Sequence, residues 1–296
     1  AGGNLIRLLK GLRPPQERVN AAEDEFMKAA RAGRPSPAPV VDFHVHVLDE
    51  GLNGAGGSVP MFEGGPRPMW KLNERLGVEA LGAMSWNGPV SGFADQGNEC
   101  VAAALDAMPP SCWGLATFDV LRDSPEVLRS KLEAVFSDRR FIGLKPYGSY
   151  GKQYDDPAYN PVWEFGNAHG LYALIHNQRT DLSDIDKLCA TYPKMTFAIA
   201  HSGGSYAMAD MAIAKARKYP NLYLEITLTP VCLGMIDYLV RGAGADRVLY
   251  GSDQPMRDPR PQLGWVLFSR LSPEDKRKVL GGNAKALVAR CRQGAG

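Results

Sequence analysis

Two rhythms of apolar and polar positions alternate along most of this chain. Short apolar runs rich in branched and aromatic residues recur at 40–47, 79–85, 113–120, 141–147, 172–176, 196–201, 222–227 and 248–251, a form that suits buried strands. Between most of them the apolar positions recur about every 3.6 residues. Residues 125–136 place Leu128, Leu132, Val135 and Phe136 on one helical face, and 206–219 read the same way. Strand and helix in alternation predict a parallel sheet with crossover helices. Eight such units predict a closed (β/α)8 TIM barrel spanning 40–296, with catalytic side chains at the C-terminal ends of the strands.

The first 39 residues break this pattern. Residues 16–31 look helical and charged, with Val19, Ala22, Phe26 and Ala30 on one apolar face, and Pro35, Pro37 and Pro39 separate them from the first strand. This segment reads as a helical extension that packs on the barrel or on a second copy of the chain, as in a homodimer; a flexible tail is the rival reading.

Composition narrows the classes. A chain of 296 residues, 45% of them hydrophobic, can bury one large core. A net charge of +2 and the lack of a basic run interleaved with aromatics argue against nucleic acid as a partner. No apolar stretch approaches a membrane span and no signal-peptide core opens the chain, so a soluble cytoplasmic protein acting on a small molecule is expected. Cys100, Cys112, Cys189, Cys232 and Cys291 are odd in number and widely spaced, which reads as reduced thiols without a redox or metal motif.

The chemistry concentrates in four runs. His44 and His46 sit one residue apart on the first strand, so both point to the same face. Two imidazoles aimed at one point fill a core poorly and hold a borderline-soft cation such as Zn²⁺ well. His176, His201 and Asp253 each end an apolar run that opens into a polar loop. Singly, each would be an ordinary loop or capping residue. Together they deliver four histidines and an aspartate to one rim, which points to a metal site.

These segments resemble the metal-dependent amidohydrolase superfamily, specifically the amidohydrolase-related (amidohydrolase 2) branch that also contains metal-dependent decarboxylases. The resemblance runs from about Val40 to Cys291. It rests on Asp42-Phe-His44-Val-His46, Gly143-Leu-Lys145, Ile175-His176, Ala200-His201-Ser-Gly-Gly, Tyr250-Gly-Ser-Asp253 and the closing Lys278-Val-Leu-Gly-Gly-Asn283-Ala-Lys-Ala-Leu287. It implies one divalent ion, Zn²⁺ foremost with Mn²⁺ as the alternative, bound by His44, His46, His176 and Asp253. His201 would then stand beside the ion for general acid–base work, with Asp253 sharing the proton handling. In binuclear relatives the lysine at the position of Lys145 is carboxylated and bridges two ions. The Lys145-Pro-Tyr context here looks more like the mononuclear branch, although that branch often continues with a His-Pro pair where this chain has Pro146-Tyr147.

A metal site of this kind serves hydrolysis of an ester, lactone or amide, or the non-oxidative decarboxylation of a small aromatic or unsaturated acid. The compactness of the chain ranks hydrolysis first. Lys145, Tyr147, Arg179 and Arg257 follow the site strands closely and are candidates for gripping substrate, arginine through a two-pronged bond to carboxylate. Lys152 shares that placement. Trp70 lies in, and Trp86 beyond, a glycine-rich insertion, 49–75, and both would roof the pocket or simply pack; the insertion itself reads as a lid that orders over a ligand, or as a linker.

Overall fold

The computed structural model describes residues 23–48, 61, 64–148, 151–176, 181–227 and 233–294. Eight parallel strands, β1 (Val40–Val47), β2 (Val78–Ser85), β3 (Trp113–Ala116), β4 (Phe141–Leu144), β5 (Tyr172–Ile175), β6 (Thr196–Ile199), β7 (Leu222–Glu225) and β8 (Val248–Leu249), pair in chain order. The seam between β8 and β1 is closed by the parallel bridge of Val45 with Gln254 and by backbone bonds from Phe43 to Tyr250, from His46 to Gln254 and from Asp253 to His44. Helices lie between successive strands, and the architecture is the expected (β/α)8 barrel. The predicted helix over 125–136 is observed as Pro125–Phe136, capped by the Ser124 hydroxyl, which accepts from the Val127 N–H.

The core divides into two apolar layers. Val40, Val45, Val47, Leu81, Ala83, Ala173, Ile175, Leu222 and Leu224 face outward into the layer beneath the helices. Val41, Phe43, Trp113, Leu115, Tyr172, Leu174, Ala198 and Leu249 face the barrel interior. The register of β1 on β2 shifts between Val40 and Val41 and again between Asp42 and Val45; at the second shift Asp42 pairs with Leu81 and Val45 with Ala83, three residues of β1 against two of β2. This bulge lets Phe43 fill the interior while His44 and His46 point inward as well, with Val45 and Val47 turned out. The six runs from 113 onward end one to four residues earlier as strands than their apolar pattern extends. Ladder geometry is abandoned where the chain turns side chains into the mouth, and His201 and Asp253 both adopt left-handed backbone with φ of 60°.

The opposite end of the barrel is plugged. The terminal helix Asn283–Gly294 sends Ala284, Leu287, Val288 and Cys291 into the interior layer, and Arg292 bonds the carbonyls of Pro110, Ser111 and Cys112 just before β3. Asn283 donates to the carbonyls of Ala245 and Val248 at the entrance to β8. The N-terminal helix is Glu25–Arg31, shorter than the 16–31 pattern within the described residues, because Asp24 caps it by accepting from the Met27 N–H. Val19 and Ala22 lie outside the described residues. Phe26 is fully buried, and Asp24 meets the buried ammonium of Lys276 at 2.6 Å, so this helix packs on the barrel. Cys112, Cys189 and Cys291 are buried, and burial pushes their thiols up to about 11, 12 and 12, where they stay protonated and unreactive. No helix among the described residues is long and apolar enough to cross a membrane.

Candidate metal centre

Closing the barrel assembles the site. The Asp253 N–H donates to the carbonyl of His44 at 2.8 Å, so the seam that joins β8 to β1 also brings together the residues that each strand delivers. His44 Nε2 lies 3.3 Å from His46 Nε2, and Asp253 Oδ1 is 3.5 Å from the first and 3.4 Å from the second. All three side chains are buried. Asp42 stitches the seam from below: its carboxylate accepts from the N–H groups of Ser252 and His44 and from Gln254 Nε2, and Asn73 in turn donates to Gln254 Oε1. Burial raises the Asp42 carboxyl to about 7 against the bonds from Ser252 and His44.

The outer nitrogens decide what faces inward. His46 Nδ1 lies 3.0 Å from the carbonyl of Ser85, which only accepts, so the proton is on Nδ1 and Nε2 is bare. His201 Nδ1 lies 3.2 Å from the carbonyl of Thr227 and is fixed the same way. His44 Nδ1 faces Glu225 Oε2 at 3.1 Å. Asp253 Oδ2 is buried and has no hydrogen-bond partner among the described residues. Imidazole lone pairs and a carboxylate pressed together within 3.5 Å repel one another unless a cation lies among them. The donor set, two nitrogens and an oxygen, suits a borderline divalent metal ion such as Zn²⁺ or Mn²⁺. The residues present therefore fit the ion that the sequence pattern calls for.

Around these three stand five more polar groups. His201 Nε2 is 3.1 Å from His176 Nδ1, and the Tyr147 ring lies over His176 with centroids 4.6 Å apart. Lys145, fully buried, brings Nζ to 3.3 Å from His44 Nε2. Burial lowers the Lys145 ammonium to about 8, although the carboxylates of Asp253 and Glu225 support its charge. Burial raises the Glu225 carboxyl to about 8, opposed by its bonds from Thr227 and by the Lys145 charge. Desolvation, with the Lys145 charge second, lowers His44 well below the ordinary imidazole range and His176 to about 2. His201 is lowered to about 4, chiefly by burial, with Asp253 opposing. His44, His176 and His201 are neutral at pH 7 and are ligands or bases rather than acids.

The structure thus brings His44, His46 and Asp253 into one group, with Lys145 against it, while His176 pairs with His201 and Tyr147. Arg257 follows Asp253 but its side chain is exposed, and its backbone N–H donates to the Asp253 carbonyl. Arg179 and most of the glycine-rich insertion lie outside the described residues. Trp86 is buried among Leu48 and Met61, sets its ring edge-on to His46 at 5.1 Å and leaves its Nε1 unpartnered; Trp70 is half-buried against the outer apolar layer. Lys152 pairs with Asp156 at 3.5 Å. Sequence reasoning missed Glu225. The signal was present, a carboxylate inside the apolar run 222–227, since an acid buried in a strand needs a partner.

Comparison with known proteins follows the same lines. No curated protein matches the chain. Among solved structures, 5-carboxyvanillate decarboxylase from Sphingomonas paucimobilis superposes with a TM-score of 0.68 at 16% identity, over 85% of this chain and 99% of that one. A dihydroxybenzoic acid decarboxylase from Polaromonas sp. JS666, with bound manganese and the inhibitor 2-nitroresorcinol, gives 0.64 at 18% identity, over 85% and 97%. A candidate 2-pyrone-4,6-dicarboxylic acid hydrolase from Pseudomonas putida gives 0.66 at 16% identity, again over 85% and 97%. At these identities the likeness establishes the barrel and leaves the reaction open. The sequence profile of the amidohydrolase family matches residues 41–290, nearly the whole barrel, and the chain belongs to that family, in its amidohydrolase-related branch of metal-dependent enzymes.

Proposed function

We propose that this enzyme hydrolyses a small-molecule ester, lactone or amide at one divalent metal ion, Zn²⁺ or Mn²⁺, held by His44, His46, His176 and Asp253. When bound, such an ion supplies Lewis acidity and makes water more acidic. The observation that carries the reading is the state of His201: its Nδ1 proton is committed to the Thr227 carbonyl, and burial keeps the ring neutral. It can take a proton at Nε2 and has none to give there. That suits withdrawal of a proton from attacking water, followed by its return to the leaving group. Asp253, with Oδ2 buried and unpartnered, is the second acceptor. Lys145 Nζ, facing the same space as His44 Nε2, and Tyr147 over His176 are placed to hold the substrate's oxygens. Arg179 and Arg257 complete the proposed substrate-binding set.

A second reading, decarboxylation of a small aromatic or unsaturated acid, is favoured by Lys145. Its ammonium is a buried proton donor beside the ligand cluster, and such a reaction must deliver a proton to carbon. The two decarboxylases of like fold lend this reading support. The deciding experiment loads purified protein with Zn²⁺ or Mn²⁺ and offers lactones, esters and amides alongside aromatic carboxylates. Acid release in a pH-stat is the expected outcome; CO₂ release without acid-producing hydrolysis would replace the first reading with the second.

A further inference from the structure

The geometry points to Glu225 as the positioning residue that holds His44 in the tautomer a metal ion requires, an inference that rests on the ligand set proposed above. A neutral imidazole carries one proton, and the nitrogen without it is the one that can ligate. His44 Nε2 faces His46 Nε2 and Asp253 Oδ1, so that nitrogen must be bare. Glu225 Oε2, 3.1 Å from His44 Nδ1, draws the proton to the far side of the ring. The carboxylate is itself fixed: the Thr227 N–H donates to Oε1 at 2.7 Å, and the Thr227 hydroxyl donates to the same oxygen. Room for this arrangement depends on Gly251, where any Cβ would collide with Glu225 Oε1 and come within 2.8 Å of the His44 Cβ. His46 is held by a backbone carbonyl that no substitution removes. His44 depends on a side chain.

Glutamine at 225 makes the test sharp. Two Thr227 donors occupy one oxygen, so the amide oxygen must stay there and the NH₂ must turn to His44 Nδ1. That donor accepts no proton from the ring and pushes it to Nε2, the ligating atom. In metal-free protein at pH 9, where Glu225 is a carboxylate although burial raises it to about 8, long-range ¹H–¹⁵N NMR of the histidine rings, with His44 assigned by its loss in His44→Gln, should show Nδ1–H in the wild type and Nε2–H in Glu225→Gln. His46 should not change. Affinity for Zn²⁺, read by competition with a chromophoric chelator, should fall about 10- to 100-fold, the usual scale for loss of a partner behind a ligand.

The inference is overturned by Nε2–H on His44 in the wild type, or by a Glu225→Gln protein with unchanged tautomer and affinity. Because donor atoms of His44, His201 and Glu225 also lie within 4.8 Å of one another, a fall from two bound ions to one would overturn it too, making Glu225 a ligand. Should Glu225→Gln fail to fold, the wild-type spectrum still decides, and Thr227→Val should weaken Zn²⁺ binding by a smaller factor. A wild type that takes up no metal would sink the proposed ligand set, while the tautomer measurement would still decide the hold of Glu225 on His44.

Discussion

The two ends of this barrel are made from the same eight strands and obey opposite rules. At the entry end the interior is filled by Phe43, whose ring lies 5.9 Å from that of Trp113 and 4.8 Å from that of Tyr172, and by the apolar face of the terminal helix. Its one prominent polar pair is satisfied, the Trp113 indole donating to the Tyr172 hydroxyl at 2.6 Å. At the exit end the interior holds His44, His46, His201, Lys145, Glu225 and Asp253, all buried. There an aspartate oxygen has no partner and two non-glycine residues sit at positive φ. An unmade hydrogen bond on a buried group costs about 1–3 kcal/mol, and left-handed backbone in such residues about 1–3 kcal/mol each. The packed end supports those costs. What the contrast teaches is that the mouth is shaped for a ligand, and the floor for folding.

The largest effects should come from breaking the mouth. His44→Ala or His46→Ala should reduce bound metal to a small fraction of one equivalent, measured by inductively coupled plasma mass spectrometry, and activity should vanish with it. An active, metal-loaded double variant would remove the basis for the contrast. His201→Asn should keep the metal and lower turnover about 10²- to 10⁴-fold, the range for a general acid–base group. Loss of metal in that variant would instead count His201 among the ligands.

How much of this was legible in the residues follows from what sequence can carry. Strand β1 is seen with its predicted bounds, and the one-residue spacing of His44 and His46 placed both inside, because alternation is a local property of a strand. The bulge that lets Phe43 share the interior with them is a property of register between two strands, and no single segment contains it. Asp253, read from its place at the end of an apolar run, lies with its carboxylate beside the histidine pair. Glu225 is the last residue of β7 but escaped because the apolar run read from the sequence continues past it to 227, so it did not look like a strand end. Arg257 shows the converse limit: closeness in sequence to Asp253 sets distance along the chain and not direction, and its side chain is exposed.

The floor yields the next effect. Trp113→Ala removes a large buried ring and strands the Tyr172 hydroxyl, and it should cost about 3–5 kcal/mol in urea denaturation. Metal equivalents per folded chain should stay as in the wild type. If metal uptake falls in step with stability, the two ends are one cooperative unit and the division drawn above is too sharp.

The smallest effect tests whether the N-terminal helix belongs to the floor. Lys276 Nζ donates to Asp24 and to the Leu267 carbonyl at 2.6 and 2.8 Å, beneath the buried Phe26 ring. Burial pushes the Asp24 carboxyl up, but the Lys276 bond and charge and the capped N–H groups of Met27 and Phe26 outweigh it, leaving it below the ordinary carboxylate value. A carboxyl lowered in the folded state contributes stability that is fully present above its unfolded pKa, about 3.9, and is lost as pH falls through the folded value. Asp24→Asn keeps a capping oxygen but loses the charged bond to buried Lys276; it should therefore lower stability by about 1.5–3 kcal/mol at pH 7, and the gap from wild type should narrow below about pH 4. Thermal denaturation of both proteins from pH 3 to pH 7 reads this directly. A gap that stays constant across that range would mean that Asp24 acts through shape alone, and that its charge contributes nothing to holding the extension against the barrel.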